Sequence, residues 1–590
     1  KTLTILRGIS GSFLPGRMTA LMGPSGSGKT TLLDVLSGRK NAGTVGGAVL
    51  LNGSRPTASA SRRIVGYVEQ FDTLVGELTV HQMLSYTAAL KLPAGTSAEE
   101  REARVAETLE TLDLSSCRDT VIGSALLRGI SGGQAKRVNI GLALVTRPRV
   151  LFLDEPTSGL DSRTADEVVG LLRRLAVEGG RTIACTIHSP TGRSFAMFDD
   201  LHMLHQGQTI YDGRLSDVQG YFESLGHRRD LDCSLPEWLV DLTSNMPRRP
   251  TLGANDAGTD TFKEEGDGVE KGQMKRNFSQ LFQDSKARRE SIQRLDSASK
   301  IDLGEYDDYK PPSELSKLGT LLRYRMVAHY KDGQFIGTRF GDKIVFALLI
   351  LSLYFGIGEK LDSQSIASTS SLLYFVSAIC GYGASAFVPS LTMERALYYR
   401  ELADGCYKPM TYYAAKFVEE GVLATLTSLL FCIIVHFGCK LQGNFIIFAL
   451  TYYLTTMMGI ILAYAVAAVA PTMEAANAIL PTLVTIWMYF GGLFIVFDKI
   501  PVGWQWFSWT SFLRYSWGAM MLNQYKGKEV GEVPVFVGEG GEPIGVLDFY
   551  GMTDSVMGSI GACLGILAGL IAFFSAVGVL GLKLIRHDKR

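Results

Sequence analysis

The sequence has no surplus of either charge. Lys plus Arg number 58 and Asp plus Glu number 58, and without a basic excess nothing marks the chain as a nucleic-acid binder. Its eight cysteines include no C-x-x-C pair, which argues against a zinc or dithiol site. Cys117, Cys185 and Cys233 fall in a polar half. Cys380, Cys432 and Cys563 fall in apolar runs, where a thiol behaves as a small hydrophobe. Residues 498–557 contain neither Cys nor an N-x-[ST] sequon, so no disulfide or N-glycan is expected there. The chain opens at Lys1 on strand-like residues without Met. The expectation is that a further segment precedes it, and no signal peptide can be judged.

The residues that are present divide the chain in two. At 590 residues it is too long for one core and predicts about two to four domains. Residues 1 to about 312 are charged and soluble in character, whereas long apolar runs dominate from about 340 onward. In the first half the apolar run Met18 to Met22 leads into Gly23, Pro24, Ser25, Gly26, Ser27, Gly28, Lys29, Thr30 and Thr31, then into the helical pattern from Leu32 to Leu36. This is G-x-x-x-x-G-K-[ST] in the strand-to-helix setting that a phosphate loop requires. Its glycines let backbone N–H groups face phosphate oxygens, and the helix N-terminus adds partial positive charge. Lys29 is expected to reach the β- and γ-phosphates, with Thr30 a ligand of Mg²⁺. A second apolar run, Val150 to Leu153, ends in Asp154 and Glu155. This fits a buried parallel strand with Asp154 holding Mg²⁺ and Glu155 polarising the attacking water.

Ser131, Gly132, Gly133 and Gln134 stand between these motifs. The group resembles the signature motif of ATP-binding cassette (ABC) proteins. The remaining cassette motifs follow: Gln70 at the Q-loop, Asp161 of the Ser158-Gly-Leu-Asp161 D-loop, and His188 at the switch position. Gln70 is thereby implied as a Mg²⁺ ligand, and Glu155, His188 and Lys29 as the catalytic set. The cassette precedes the membrane half. With Asp154-Glu-Pro-Thr-Ser-Gly-Leu-Asp161 and Glu394-Arg-Ala-Leu-Tyr-Tyr-Arg-Glu401, that order resembles the G subfamily, the white-type half-transporters. The resemblance implies ATP and Mg²⁺ as cofactors and dimerisation with a second half-transporter, identical or different. Ser131 of one copy would then complete the ATP site of the other. The aromatic residue that stacks on adenine in such proteins is expected upstream of Lys1.

The fold expected is an α/β P-loop cassette followed by an all-α six-helix transmembrane domain. Its parts are a cassette over 1–246, a flexible charged linker over 247–312, an amphipathic connecting helix over 313–332 and a membrane domain over 333–590. Within the linker, Arg288-Arg-Glu-Ser291 has the form of a basophilic kinase site. The connecting helix carries Leu315, Leu318, Leu322 and Met326 near helical spacing. Six spans are read at about 341–358, 366–392, 411–437, 444–469, 476–497 and 558–582, with Lys343 snorkelling from the short first one. Arg395, Arg400 and Lys408 in one loop and Lys583, Arg586, Lys589 and Arg590 in the tail place the cassette and C-terminus in the cytoplasm, at the plasma membrane or an internal one. Residues 498–557 form an outer loop, read either as a Trp-rich interfacial belt or, by the resemblance, as a re-entrant segment.

By the same resemblance Tyr382, Thr485 and Met488 line a path for cargo and Leu493 and Phe494 plug it. No charge is evident on that wall, so the cargo expected is a hydrophobic or amphipathic small molecule or lipid, moved outward through surrounding membrane lipids. Glu419 and Glu420, near the start of the third span, are costly in a bilayer unless paired, and they suit helix packing better than cargo recognition. The alternative is a nucleotide-binding regulatory subunit without its own turnover, which the presence of both Glu155 and His188 disfavours.

Overall fold

The computed structural model describes residues 3–124, 127–230, 232–244, 278–296, 309–526, 536–537, 543–552 and 558–587. The chain divides into two compact units, one ending at Ser313 and the other starting at Glu314.

Six strands form one sheet in the first unit: β1 (Met18–Met22), β2 (Val65–Val68), β3 (Val150–Leu153), β4 (Thr182–Thr186), β5 (Asp200–His205) and β6 (Gln208–Arg214), in the order β2-β3-β4-β1-β5-β6. All neighbours are parallel except β5 and β6, which form a hairpin. Every residue of β1, β4 and β5 is buried, and β1 and β4 are accordingly free of charged residues, since a covered parallel sheet has no solvent face. The core joins Leu21, Phe152, Ala184 and Leu204 of the strands to Leu32 and Leu33 of α1 (Lys29–Leu36). β1, β3 and β4 are parallel, so the segments following them open at one edge of the sheet. Two further helices, α2 (Gly132–Leu144) and α3 (Ser162–Val177), begin at the signature and D-loop residues.

Residues 278–296 differ from the linker expected over 247–312. They form α4 (Phe278–Asp284) and α5 (Lys286–Asp296). The segment's composition is charged, yet it holds two aromatic anchors. Phe278 packs on Phe222 and His227 at ring distances of 6.0 and 5.2 Å, and Phe282 meets the edge of Tyr221 at 6.4 Å. Residues 247–277 and 297–308 of the expected linker lie outside the described residues.

The second unit starts with a helical stretch, Glu314–Leu321, which passes through a π-helical turn, Leu322–Met326, into Val327–Lys331. Its buried face is not the apolar stripe expected. Leu315 is 78% exposed, while Lys317, Leu321, Arg325 and Ala328 are buried. Polar pairing with the rest of the unit decides the face: Arg325 pairs with Glu394 and, at 3.6 Å, with Glu401, while Glu314, which pairs with Lys317 at 3.0 Å, also accepts from the Thr411 hydroxyl.

Six long helices follow among the described residues: α6 (Gly333–Tyr354), α7 (Ser363–Tyr382), α8 (Pro409–Gly438), α9 (Phe445–Val469), α10 (Met473–Tyr489) and α11 (Ile560–Leu584). With α7 continuing to Thr392, four of them are long and apolar enough to cross a membrane: Ser363–Thr392, α8, α9 and α11. α6 starts eight residues before the span read from sequence, at the Asp332 cap, and takes in Arg339, Asp342 and Lys343. α10 ends at Tyr489, short of 497. Gly492 adopts φ +103°, where a Cβ would stand 2.3 Å from the Phe497 ring, so Leu493 and Phe494 lie beyond the helix. The tryptophans also divide. Trp504, Trp506 and Trp509 are exposed, whereas Trp517 is buried on the helix Phe512–Tyr525 and donates to the Ser370 carbonyl at 3.0 Å. Much of 527–557 lies outside the described residues.

Glu419 and Glu420 are both paired. Arg339 of α6 forks onto Glu420 through Nη2 at 2.6 Å and Nε at 3.0 Å. Glu419 accepts from His329 at 2.5 Å and meets Lys416 at 3.3 Å. Arg395 donates to the carbonyls of Ala467, Ala470 and Pro471, closing the C-terminal end of α9, where a cation is favoured.

Candidate functional site

The nucleotide motifs converge at the carboxyl edge of the first unit's sheet. Gly23 leaves β1 with φ +147°, and a Cβ there would stand 2.1 Å from the Leu204 carbonyl oxygen of β5, so only glycine fits. Lys29 Nζ crosses the loop and donates to the carbonyls of Gly23 (2.7 Å) and Pro24 (3.2 Å). Burial lowers the pKa of its ammonium, and Glu155 and Asp154 oppose that shift. Ser27 Oγ is buried without a hydrogen-bond partner among the described residues.

Thr186, the last residue of β4, ties the acidic pair to the sheet. β4 lies between β1 and β3, so its end stands between the ends of the strands that carry the phosphate loop and Asp154. Thr186 Oγ1 donates to Asp154 Oδ1 at 2.6 Å and accepts the Glu155 N–H at 2.7 Å. Thr30 Oγ1 donates to the same Asp154 oxygen at 3.2 Å. Glu155 has φ +44°, a left-handed conformation that non-glycine residues rarely occupy and that costs backbone energy. Gln70 Nε2 donates to Glu155 Oε2 at 2.8 Å, so Gln70 stands on the carboxylate and not on Asp154. His188 Nε2 lies 3.3 Å from Ser25 Oγ of the phosphate loop. Lys29, Thr30, Gln70, Asp154, Glu155 and His188 are thus together.

Ser131 and Asp161 engage their own helices. Ser131 and Gln134 form a reciprocal cap on α2, at 3.3 and 2.9 Å. Asp161 caps α3, accepting from Thr164 N at 3.0 Å and Thr164 Oγ1 at 2.7 Å, and these bonds hold its carboxyl below the usual range. The two helix starts touch closely: a Cβ on Gly133 would stand 2.3 Å from Thr164 Cγ2.

Among the described residues no group of three or more His, Cys, Asp or Glu could hold a metal ion. Thr30 and Asp154 suit Mg²⁺ nevertheless, because that ion takes one or two protein oxygens and completes its shell with phosphates and water.

Sequence reading missed the residues that brace the Q-loop. Lys136 of α2, buried, donates to the Gln70 carbonyl at 2.8 Å and pairs with Asp72 at 2.9 Å. Asn139, one turn on, donates to Asp72 at 2.8 Å and to the Glu69 carbonyl at 3.3 Å. Polar residues three apart among Val138, Ile140 and Leu142 were the available signal. Lys136→Met is expected to lower cassette stability by about 1–3 kcal/mol, the usual cost of leaving buried polar partners unpaired. ATP turnover should fall more than ATP affinity, because Gln70 loses the tether that presents it to Glu155. Thermal unfolding and phosphate release on one preparation check this, and unchanged turnover would refute the bracing role.

In the second unit, Tyr382 Oη lies 2.8 Å from Thr485 Oγ1 and 3.8 Å from Met488 Sδ, and the Tyr382 side chain is 37% exposed. These three residues form one patch. Phe494 packs instead on Tyr374 and Tyr489, at 6.1 and 5.8 Å, and Leu493 is half-buried beside it.

Residues 6–158 match the family model of the ABC transporter, and residues 316–525 that of the ABC-2 type transporter. ABC transporter G family member 22 of Arabidopsis thaliana is 31% identical over 543 residues, covering 88% of this chain and 71% of its own length. ABC transporter G family member 3 of Dictyostelium discoideum is 31% identical over 621 residues, covering 100% of this chain and 42% of its own. ABC transporter G family member 52 of Oryza sativa subsp. japonica is 30% identical over 546 residues, covering 89% and 37%. The chain therefore spans about two fifths of the length of the last two relatives.

Proposed function

Because this chain belongs to the G family of ABC transporters, we propose that it hydrolyses ATP to drive export of an apolar or amphipathic small molecule or lipid, working as a dimer of half-transporters. The observation that carries this reading is Gln70 bonded to a strained Glu155 beside Asp154, Thr30 and Lys29, in one chain with a membrane domain. In phosphoryl transfer the protein's task is positioning and charge stabilisation. Glu155 orients and polarises the attacking water, and Gln70 fixes which carboxylate oxygen faces it. Lys29 exchanges its loop carbonyls for the β- and γ-phosphate oxygens. His188, already against the loop at Ser25, supplies a polar contact at the γ-phosphate. Mg²⁺, held by Thr30 and Asp154, would neutralise phosphate charge.

Residues 1–590 carry one phosphate loop and one signature, and in this reading Ser131 at the start of α2 serves the nucleotide bound by a second cassette. The basic loop around Arg395 and Arg400 and the tail at Lys583 and Arg586 orient the cassette to the cytoplasm. ATP moves the membrane domain only by binding one of its states better than the other.

The Tyr382 hydroxyl is satisfied by Thr485, so the ring offers an apolar, stackable face. Tyr382→Ala is expected to abolish or alter stimulation of ATPase by hydrophobic probes, with ATP affinity and thermal stability near wild type. A panel of phospholipid, sterol and flat aromatic probes on reconstituted protein tests this. Lower stability with unchanged stimulation per folded dimer would assign Tyr382 to packing alone.

A further inference from the structure

The sequence around Ser291 places Arg288 and Arg289 three and two residues before the serine and Ile292 directly after it. Basophilic serine kinases select such an order, because acidic groups in their clefts fork onto arginine guanidinium groups. In the structure this segment is neither open nor extended. It lies on α5, and Ser291 is 1% exposed.

The Ser291 hydroxyl donates to Asp212 Oδ2 of β6 at 2.5 Å. The other oxygen of Asp212 lies 3.1 Å from His202 Nδ1 of β5, and His202 Nε2 lies 3.3 Å from Thr209 Oγ1. Ser291 therefore seals a carboxylate between the helix and the hairpin. The space is tight: a Cβ on Gly11 would stand 3.2 Å from His202 and 3.3 Å from Asp212. Arg288 is engaged as well, donating to the Ser10 carbonyl at 3.3 Å. Ser285 caps α5 by accepting from the Arg288 N–H at 3.1 Å.

We propose that Ser291 is a phosphorylation site for a basophilic serine kinase, and that its phosphorylation and the docking of α4–α5 on β6 exclude each other. In the reaction Ser291 Oγ bonds to the γ-phosphorus of the kinase's ATP. The bond from that phosphorus to the β–γ bridging oxygen breaks, ADP leaves, and the hydroxyl proton passes to the kinase's carboxylate base. The kinase reaches Oγ only when α5 has left β6. Helices of 7 and 11 residues are too short to persist alone, and segments held by few buried contacts open locally well before the domain unfolds. Once added, the phosphate brings nearly two negative charges and three acceptor oxygens to a position that donates a proton to a carboxylate. It cannot return there, so phosphorylation traps the undocked state. Undocking bares the aromatic surface of Tyr221 and Phe222 that Phe278 and Phe282 cover.

The test uses the full chain in lipid nanodiscs and the catalytic subunit of an Arg-Arg-x-Ser-selective kinase, on protein that keeps ATP binding. Phosphate on Ser291 is followed by mass spectrometry. Phe282→Ala, which loosens α4, is expected to raise the initial rate at Ser291 by at least about tenfold, and Ser291→Ala should abolish incorporation in 286–293. Hydrogen exchange provides the second readout. Amides of 286–293 should exchange faster in phosphorylated protein and in Ser291→Glu, and near the wild-type rate in Ser291→Ala, which loses the hydrogen bond but adds no charge. Phosphorylated Ser291 with unchanged protection of α5 would overturn the exclusion. No phosphate on Ser291 in either wild type or Phe282→Ala would overturn the site.

Discussion

Glu155→Gln is expected to bind ATP as tightly as wild type and to lose hydrolysis by about 10²- to 10⁴-fold, the range attributed to a positioned general base. The amide keeps the shape of the carboxylate and can still meet Gln70. Its backbone N–H bond to Thr186 Oγ1 does not involve the side chain, so the strained backbone is retained. Only the charge that polarises water is removed. Lys29→Ala acts on the other quantity and weakens binding itself, since Lys29 is the cation that spans the loop. Nucleotide binding and phosphate release measured together separate the two. Wild-type turnover in Glu155→Gln would remove Glu155 from its assigned role.

Glu394→Ala is expected to destabilise the membrane domain by about 3–5 kcal/mol, the usual result of breaking a buried ion pair from one side. Glu394 gathers Arg325, Lys416 at 2.7 Å, His329 at 3.4 Å and the Tyr412 hydroxyl at 3.1 Å, and its loss leaves these groups without their shared acceptor. Burial alone would raise its carboxyl pKa, but Arg325, Lys416 and His329 hold it down to about 2. A carboxyl depressed on folding contributes stability that is complete above the ordinary value of 4.5 and is lost as pH falls from there toward 2. One pKa unit corresponds to about 1.4 kcal/mol, so the full effect is about 3 kcal/mol. Thermal unfolding of wild type should therefore weaken across this window, while Glu394→Gln should start lower and respond less. Equal pH dependence in both would show that another group titrates.

What could be read from sequence was contiguous chemistry. A phosphate loop is nine adjacent residues whose types carry their own mechanism, and Asp154-Glu155 announces a strand end because four apolar residues precede it. Those motifs placed the nucleotide site and the order of domains. Pairings fixed only in three dimensions were not legible. Lys136 and Asp72 are 64 positions apart, and nothing local joins them. The helical stretch from Glu314 reads as an apolar stripe, yet Arg325 finds Glu394 and Glu401 far along the chain and turns the charged face inward. α4 and α5 look like linker because their charge outweighs two phenylalanines. Those two are sufficient because Tyr221 and Phe222 wait for them on the cassette. The span at 476–497 overruns α10 because apolar residues continue beyond Gly491-Gly492, and hydropathy does not register a backbone break.

ATP-driven export is tested most directly in proteoliposomes with the cassettes facing outward, loaded with a fluorescent phospholipid or sterol probe in the bilayer. Wild type and Glu155→Gln are compared with and without ATP and Mg²⁺. The expected result is probe movement to the inner leaflet or lumen that requires ATP in wild type and is absent in Glu155→Gln. Movement at the same rate without ATP, or in Glu155→Gln, would contradict it.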